Sequence, residues 1–284
     1  MNRKEKAQLL TQEGVFHIFA IDHRDVLTVK MEEKIGAMPE ERVVLEEKFR
    51  LIDAVQDLTS AVLVDTHYFI QDKKLDPRLD MDHVLIGIER NNYDISKVGE
   101  GYLTTDISIR ELAERGCKMV KLFVFYQPDM AFTDEIDRVI EYVTRECDAC
   151  ELPLMLEPVL YQYTPENRLA LTKEMLTRLK KFNIDIYKID FPGDLVRYTP
   201  EENLAICREI DALLQTPWII LSSGVTLEDF RTQLAIAGQS GACGYAVGRS
   251  VWNPYILRHD LEGMRQAFAQ VRQTAEKHCH RWHT

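Results

Sequence analysis

Three charged residues stand where the sequence is otherwise apolar. Lys121 lies inside the run Met119 to Tyr126, Glu157 inside Leu152 to Val159, and Lys188 at the centre of Ile186-Tyr187-Lys188-Ile189-Asp190-Phe191-Pro192. Each run has the length and β-favouring composition of a buried strand, and Pro192 stops the last one. A lysine alone at such a place would snorkel to solvent or pair with Asp190. Three charges on three successive strands are another matter, because their burial costs several kcal/mol unless they compensate one another. Desolvation and a neighbouring ammonium both favour the neutral amine, a nucleophile towards carbonyl carbon. The pattern fits Schiff-base chemistry at Lys188, with Lys121 beside it. Glu157 is placed to move protons at the carbinolamine and at the hydroxyl whose deprotonation breaks a carbon–carbon bond.

A second constellation suits an anion. Ser222-Ser223-Gly224 ends one apolar run, and Gly248-Arg249-Ser250 follows another and opens a helix. Glycine lets backbone N–H groups approach a phosphate, a helix N-terminus favours negative charge, and Arg249 supplies a bidentate fork. Asp22, Asp65 and Glu89 also close apolar runs, where an acid serves equally well as a helix N-cap.

These residues need elements to carry them. Apolar runs of strand length occur at Val15–Asp22, Ser60–Asp65, Val84–Glu89, Met119–Tyr126, Leu152–Val159, Ile186–Asp190, Trp218–Ser223 and Gly244–Gly248. Helical periodicity is expected between most of them, over about 39–58, 104–116, 133–147, 165–182, 200–214 and 227–237. Thr104-Thr105-Asp106 signals the start of the second of these helices and Gly116 its end, while Thr164 and Pro165 open the fourth. Gly-rich hairpin turns are missing, so the strands are expected to be parallel. Eight βα units in this length predict a single closed (β/α)8 TIM barrel spanning 1–284, with an N-terminal helix within 1–13 and a solvated tail at 279–284. A doubly wound open sheet is the runner-up, but its Gly-rich turn after the first strand is missing. The third unit looks irregular, with a long loop over 91–101. In a barrel the active site lies at the C-terminal strand ends, where all the residues above fall.

The chain has 284 residues, 46 of them acidic and 35 basic, for a formal net charge of -11. That balance disfavours nucleic acid and anionic membrane as partners, while leaving room for a local basic pocket. No apolar run approaches a membrane span, and residues 1–12 lack a signal-peptide core, so a cytoplasmic protein is expected. The six cysteines read as reduced thiols; Cys147 and Cys150 have the spacing of a redox or metal pair but end a helix instead of opening one.

The chain resembles the class I aldolases that include tagatose 1,6-bisphosphate aldolase and sulfofructosephosphate aldolase. The segments that carry the likeness are Ala20-Ile21-Asp22-His23-Arg24, Ala61 to Asp65, Val120-Lys121-Leu122, Leu156-Glu157-Pro158-Val159, Tyr187-Lys188-Ile189-Asp190, Pro217 to Val225 and Ala246 to Trp252. The resemblance implies that Lys188 is the Schiff-base lysine, that Glu157 and Lys121 assist it, and that Asp22 orients substrate. Ser222, Ser223, Gly224, Gly248 and Arg249 would hold the C1 phosphate of a ketose. This chain departs from the family in having His23 where glutamine is common and Asp190 where glutamate is frequent. With the C1 phosphate on loops seven and eight, a C6 anion needs other donors, and His23 and Arg24 are the basic pair nearest Asp22, with Asp65 close by. A guanidinium serves phosphate or sulfonate alike, whereas a His23 titrating near neutrality would favour the dianion.

The expected activity is cofactor-free cleavage of a ketose 1-phosphate, with phosphate or sulfonate at C6, to dihydroxyacetone phosphate and an aldehyde. The expected partner is a small sugar phosphate, and self-association is compatible with the sequence. Two other readings are a barrel lyase or isomerase holding Mg²⁺ among Asp22, Asp65, Glu89 and Glu157, against which the two lysines argue, and a catalytically inactive sugar-phosphate sensor.

Overall fold

A computed structural model describes residues 1–90, 102–128, 130, 132–256 and 258–283. The loop expected over 91–101 lies outside them. Eight strands, β1 (Phe16–Ala20), β2 (Ala61–Asp65), β3 (Val84–Gly87), β4 (Met119–Phe125), β5 (Leu154–Val159), β6 (Ile186–Asp190), β7 (Trp218–Leu221) and β8 (Gly244–Val247), close into one parallel barrel in sequence order. Closure pairs β1 with β8 as well as with β2. This is a (β/α)8 TIM barrel.

Period-two alternation sorts each strand into an inward and an outward set. Phe16, Ile18, Leu63, Leu85, Met119, Met155, Ile186 and Ile219 form a compact inner core. Phe19, Val64, Ile86, Leu122, Leu156, Ile189 and Trp218 face outward and pack with the helices in a larger cluster. Counting two residues up from Met119, Met155 and Ile186 reaches Lys121, Glu157 and Lys188, so the three charges continue the inward rows.

The helices are α1 (Arg3–Gln8), α2 (Asp25–Ile35), α3 (Glu41–Val55), α4 (Thr66–Phe69), α5 (Ile109–Glu114), α6 (Thr133–Ala149), α7 (Arg168–Leu179), α8 (Pro200–Leu214), α9 (Leu227–Gly238), α10 (Arg249–Ile256) and α11 (Leu261–His278). Three expectations are revised. The cap of α5 is Ser108, reciprocated by Glu111, and not the Thr104–Asp106 segment. Helix α7 begins after Asn167, three residues later than expected. An antiparallel hairpin, Ile70–Gln71 with Lys74–Leu75, does exist; it turns through Asp72 and Lys73 in the left-handed region without a glycine, which is why the sequence conceals it.

Among the described residues no helix is long and apolar enough to cross a membrane. All six cysteines are free thiols, and burial pushes Cys117, Cys147, Cys207 and Cys243 up to about 12.

The tail is only partly solvated. His280, Arg281 and His283 are exposed, but the Trp282 ring stacks on Phe16 with centroids 5.8 Å apart, and the Trp282 backbone N–H donates to the Gly14 carbonyl. Trp282 thus covers the inner core at the end of the barrel away from the catalytic loops. Trp282→Ala is expected to lower stability by about 2 kcal/mol, below the loss for a fully buried tryptophan. Urea unfolding checks this, and an unchanged midpoint would mean that the tail contributes nothing to the fold.

Candidate active site

The register decides which charges meet. Lys121 is paired with Gly87 on one side and Met155 on the other, whereas Glu157 is level with Phe123. Met155 and Leu156 pair with Ile186 and Tyr187, so continuing that ladder brings Glu157 level with Lys188. Lys121 therefore lies one inward layer below the other two. Its side chain is fully buried, while Lys188 and Glu157 line a cavity of about 320 Å³ at the C-terminal mouth.

Three carboxylates surround the Lys121 ammonium. Its Nζ lies 2.8 Å from Asp22 Oδ2, 2.5 Å from Glu89 Oε1 and 3.2 Å from Glu157 Oε2. The second Glu89 oxygen accepts from the Phe123 N–H at 3.2 Å. Gly87 makes room for this carboxylate, since a Cβ there would lie 3.2 Å from Glu89 Oε1. Glu157 Oε2 also lies 2.8 Å from Lys188 Nζ and so bridges the two lysines. Burial alone would raise both Asp22 and Glu157, but the Lys121 and Lys188 charges outweigh it and hold both carboxyls below their ordinary range. The Mg²⁺ reading meets a physical objection here: the acids it needs are already compensated by ammonium groups.

Ser222, Ser223, Gly248 and Arg249 line the same cavity from the ends of β7 and β8, the two strands that follow Lys188's own β6 round the barrel. Ser223 and Gly224 are consecutive left-handed residues (φ 46° and 78°), a conformation that turns successive N–H groups towards one side. The Arg249 guanidinium lies over this turn, 3.6 Å from where a Gly224 Cβ would be. Ser250 Oγ donates to the Val225 carbonyl at 2.5 Å and joins the two loops. Asp190 also lines the cavity and accepts a hydrogen bond from Ser223 Oγ.

Asp65 and Arg24, expected among the substrate contacts, do not line this cavity. Asp65 is buried, caps α4 through the Tyr68 N–H at 2.8 Å, and pairs with Lys48. Arg24 Nη2 donates to the Glu89 carbonyl at 3.0 Å, and its Nε lies 3.7 Å from Asp65. His23 does line the cavity, but beside the anion-facing loops and not at a distal end. Because β1 is next to β8, the imidazole lies against Gly248, where a Cβ would come within 2.8 Å of its Cε1. Two residues escaped the sequence reading of the site. Glu89 figured there only as a cap or metal ligand, and Lys48 went unnoticed. The signal for Lys48 was its place among Val44, Leu51, Ile52 and Val55 on the buried side of α3.

Comparison with known proteins agrees with this geometry. Residues 16–254 match the model of the DeoC/LacD family aldolase. The chain belongs to that aldolase family. Tagatose 1,6-diphosphate aldolase of Staphylococcus epidermidis is 27% identical over 289 residues, covering 92% of this chain and 87% of the relative. The Staphylococcus haemolyticus protein of the same name is 26% identical, covering 95% and 90%. An archaeal fructose 1,6-bisphosphate aldolase shares the fold with a TM-score of 0.66 at 19% identity, over 96% of this chain and 100% of that one. A second archaeal structure, with its catalytic lysine bound to a carbinolamine intermediate, has a TM-score of 0.65 at 19% identity, over 95% and 100%.

As an aldolase, the protein is a lyase. Its His23 does not supply the charge switch expected from sequence, because burial pushes the imidazole down to about 4 despite the attraction of Asp22. Neutral imidazole is retained across pH 6 to 8. His17, buried under α11, is lowered to about 4 in the same way. Unfolded histidine binds its proton near pH 6.5, so the stability these neutral side chains provide is full above pH 6.5 and is lost as pH falls towards 4. Each contributes roughly 3 kcal/mol to that loss. Replacing His23 with Gln is expected to lower the slope of unfolding free energy against pH in this window by about half of what the two histidines contribute, leaving the His17 share and that of the lowered carboxyls. Urea titrations at several pH values check it, and an undiminished slope in the variant would show that His23 carries its proton in the fold.

Proposed function

We propose that this aldolase cleaves a ketose 1-phosphate to dihydroxyacetone phosphate and an aldehyde through a Schiff base on Lys188. The observation that carries the reading is the Lys188 amine at the cavity wall, 2.8 Å from a carboxylate that it shares with a deeper lysine, in a cavity that an arginine-covered turn also lines. Two ammoniums meet three carboxylates in this cluster, so a cationic nitrogen is matched by charge throughout the reaction. Glu157 takes the proton of Lys188, and the neutral amine attacks C2 of the ketose. The carbinolamine hydroxyl then leaves as water, taking a proton returned by Glu157, and an iminium remains. A carboxylate of the cluster removes the C4 hydroxyl proton, the C3–C4 bond breaks, and its electron pair enters the iminium to give an enamine and the aldehyde. Protonation at C3 and hydrolysis by one water release dihydroxyacetone phosphate and restore the amine. Lys121, held by three carboxylates, supplies a fixed positive charge beside the developing oxyanion.

Arg249, Gly248 and the Ser222–Gly224 turn are assigned to the C1 phosphate. Tagatose 1,6-bisphosphate, the substrate in the names of the staphylococcal relatives, is the first ketose to assay. The Glu-Pro-Val and Ser-Ser-Gly segments resemble those of the sulfosugar member of the family, which makes 6-deoxy-6-sulfofructose 1-phosphate the second to assay.

Borohydride with dihydroxyacetone phosphate is expected to trap an adduct on Lys188, with turnover insensitive to chelator. Turnover lost to chelator and restored by Mg²⁺, with no adduct, would overturn the mechanism; an adduct without cleavage of any ketose phosphate would favour the sensor. Arg249→Ala is expected to weaken dihydroxyacetone phosphate binding by about 1.5–3 kcal/mol, the value of a charged hydrogen bond. Parent-like affinity in that variant would remove Arg249 from the phosphate site.

A further inference from the structure

The lysine that the sequence reading overlooked is a second fully buried cation beneath the active site. Lys48 is fully buried in the middle of α3. Its three ammonium protons match three acceptors: the Ile21 carbonyl at 2.8 Å, the His23 carbonyl at 2.9 Å and the Asp65 carboxylate. The Tyr68 ring lies 4.7 Å below the charge. Ile21 and His23 flank Asp22. Lys48 thus grips the backbone on both sides of the residue whose carboxylate holds Lys121. Arg24 braces the next position, binding the carbonyl of Glu89, a second holder of Lys121.

A buried ammonium in a helix is expensive, and an apolar residue of similar volume would pack there without desolvating a charge. Ordinary core packing therefore does not account for Lys48. Loop one connects β1 to α2 through Ile21, Asp22, His23 and Arg24, and after the Ile21 N–H bond to the Leu63 carbonyl it has no regular backbone ladder. Two carbonyls pinned to one ammonium replace that ladder.

We propose that Lys48 is a positioning residue for the aldol chemistry: by fixing the peptides on either side of Asp22, it sets the carboxylate that places Lys121 under Glu157 and Lys188. It touches neither substrate nor reacting atom. Its effect runs through Asp22 to Lys121 and from there to the carboxylate shared with Lys188. Of the phosphate loops, Gly248 lies against the His23 ring, whereas Arg249 and the Ser222–Gly224 turn are not part of this chain of contacts. The inference rests on the reading of Lys188 as the imine-forming lysine.

The test uses the full-length protein with Lys48→Met, and with Lys48→Met combined with Asp65→Asn so that no buried carboxylate loses its partner. Trp282→Ala is the control for stability alone, because Trp282 covers the inner core at the far end of the barrel. Borohydride trapping of dihydroxyacetone phosphate gives both the rate of adduct formation and the concentration that half-saturates it. Both Lys48 variants are expected to lose adduct formation by on the order of 100-fold, the cost of an ångström-scale misplacement, with half-saturation little changed. The control is expected to keep the parent rate at a comparable melting temperature. A parent-like rate in a folded Lys48 variant overturns the proposal, as does an equal loss in the control. Half-saturation rising in step with the lost rate also overturns it, since the defect would then be one of phosphate binding, carried through His23 to Gly248. No adduct in the parent overturns the Lys188 reading and this inference with it; an adduct in the parent, unchanged in the variants, overturns this inference alone.

Discussion

The upper half of the barrel depends on one interaction, the Lys121 ammonium held between Asp22, Glu89 and Glu157. The three carboxylates come from the ends of β1, β3 and β5, so a single cation gathers acids that lie far apart in sequence. Removing any one would leave buried charge poorly matched, which ties the geometry of the site to the stability of the barrel mouth. Lys188 shares only one of these carboxylates and opens onto the cavity. The layer below is fixed and the layer above is accessible, which is the arrangement that a nucleophile with a stationary charge behind it requires.

Barrel closure determines the rest of the layout. Because β1 pairs with β8, loop one meets the anion-facing loops, and His23 touches Gly248. The same closure carries Arg24 and Asp65 behind the cavity, where they brace loop one, Glu89 and α4. Residues of the same chemical type therefore divide into those that face substrate and those that hold the facing residues still. Burial also strips His23 of a titration near neutrality, leaving a neutral ring edge-on to Trp252.

The two ends of the barrel are built differently. At the mouth, buried polar contacts hold irregular loops. At the opposite end, Trp282 closes an apolar core and Arg3 pairs with Asp148 and Asp185 at the surface. Perturbations at that end reach stability without passing through the charged cluster, and the two properties are physically separable.

Residue type and period sufficed to find the eight strands, because parallel strands covered on both faces must be continuously apolar, and a charge in such a run is conspicuous. They also sufficed to single out Lys121, Glu157, Lys188 and Arg249. They did not rank the two lysines by depth: that follows from a ladder offset in which Lys121 pairs with Met155 while Glu157 comes level with Lys188. They did not reveal Lys48, since a lysine among the charges of a surface helix looks solvated until the helix is docked and its apolar side chosen. Nor could they place loop one, because adjacency of the first and last strands exists only once the sheet has closed. Local pattern determines which residues are inward and charged; the register and closure of the barrel determine which of those charges touch.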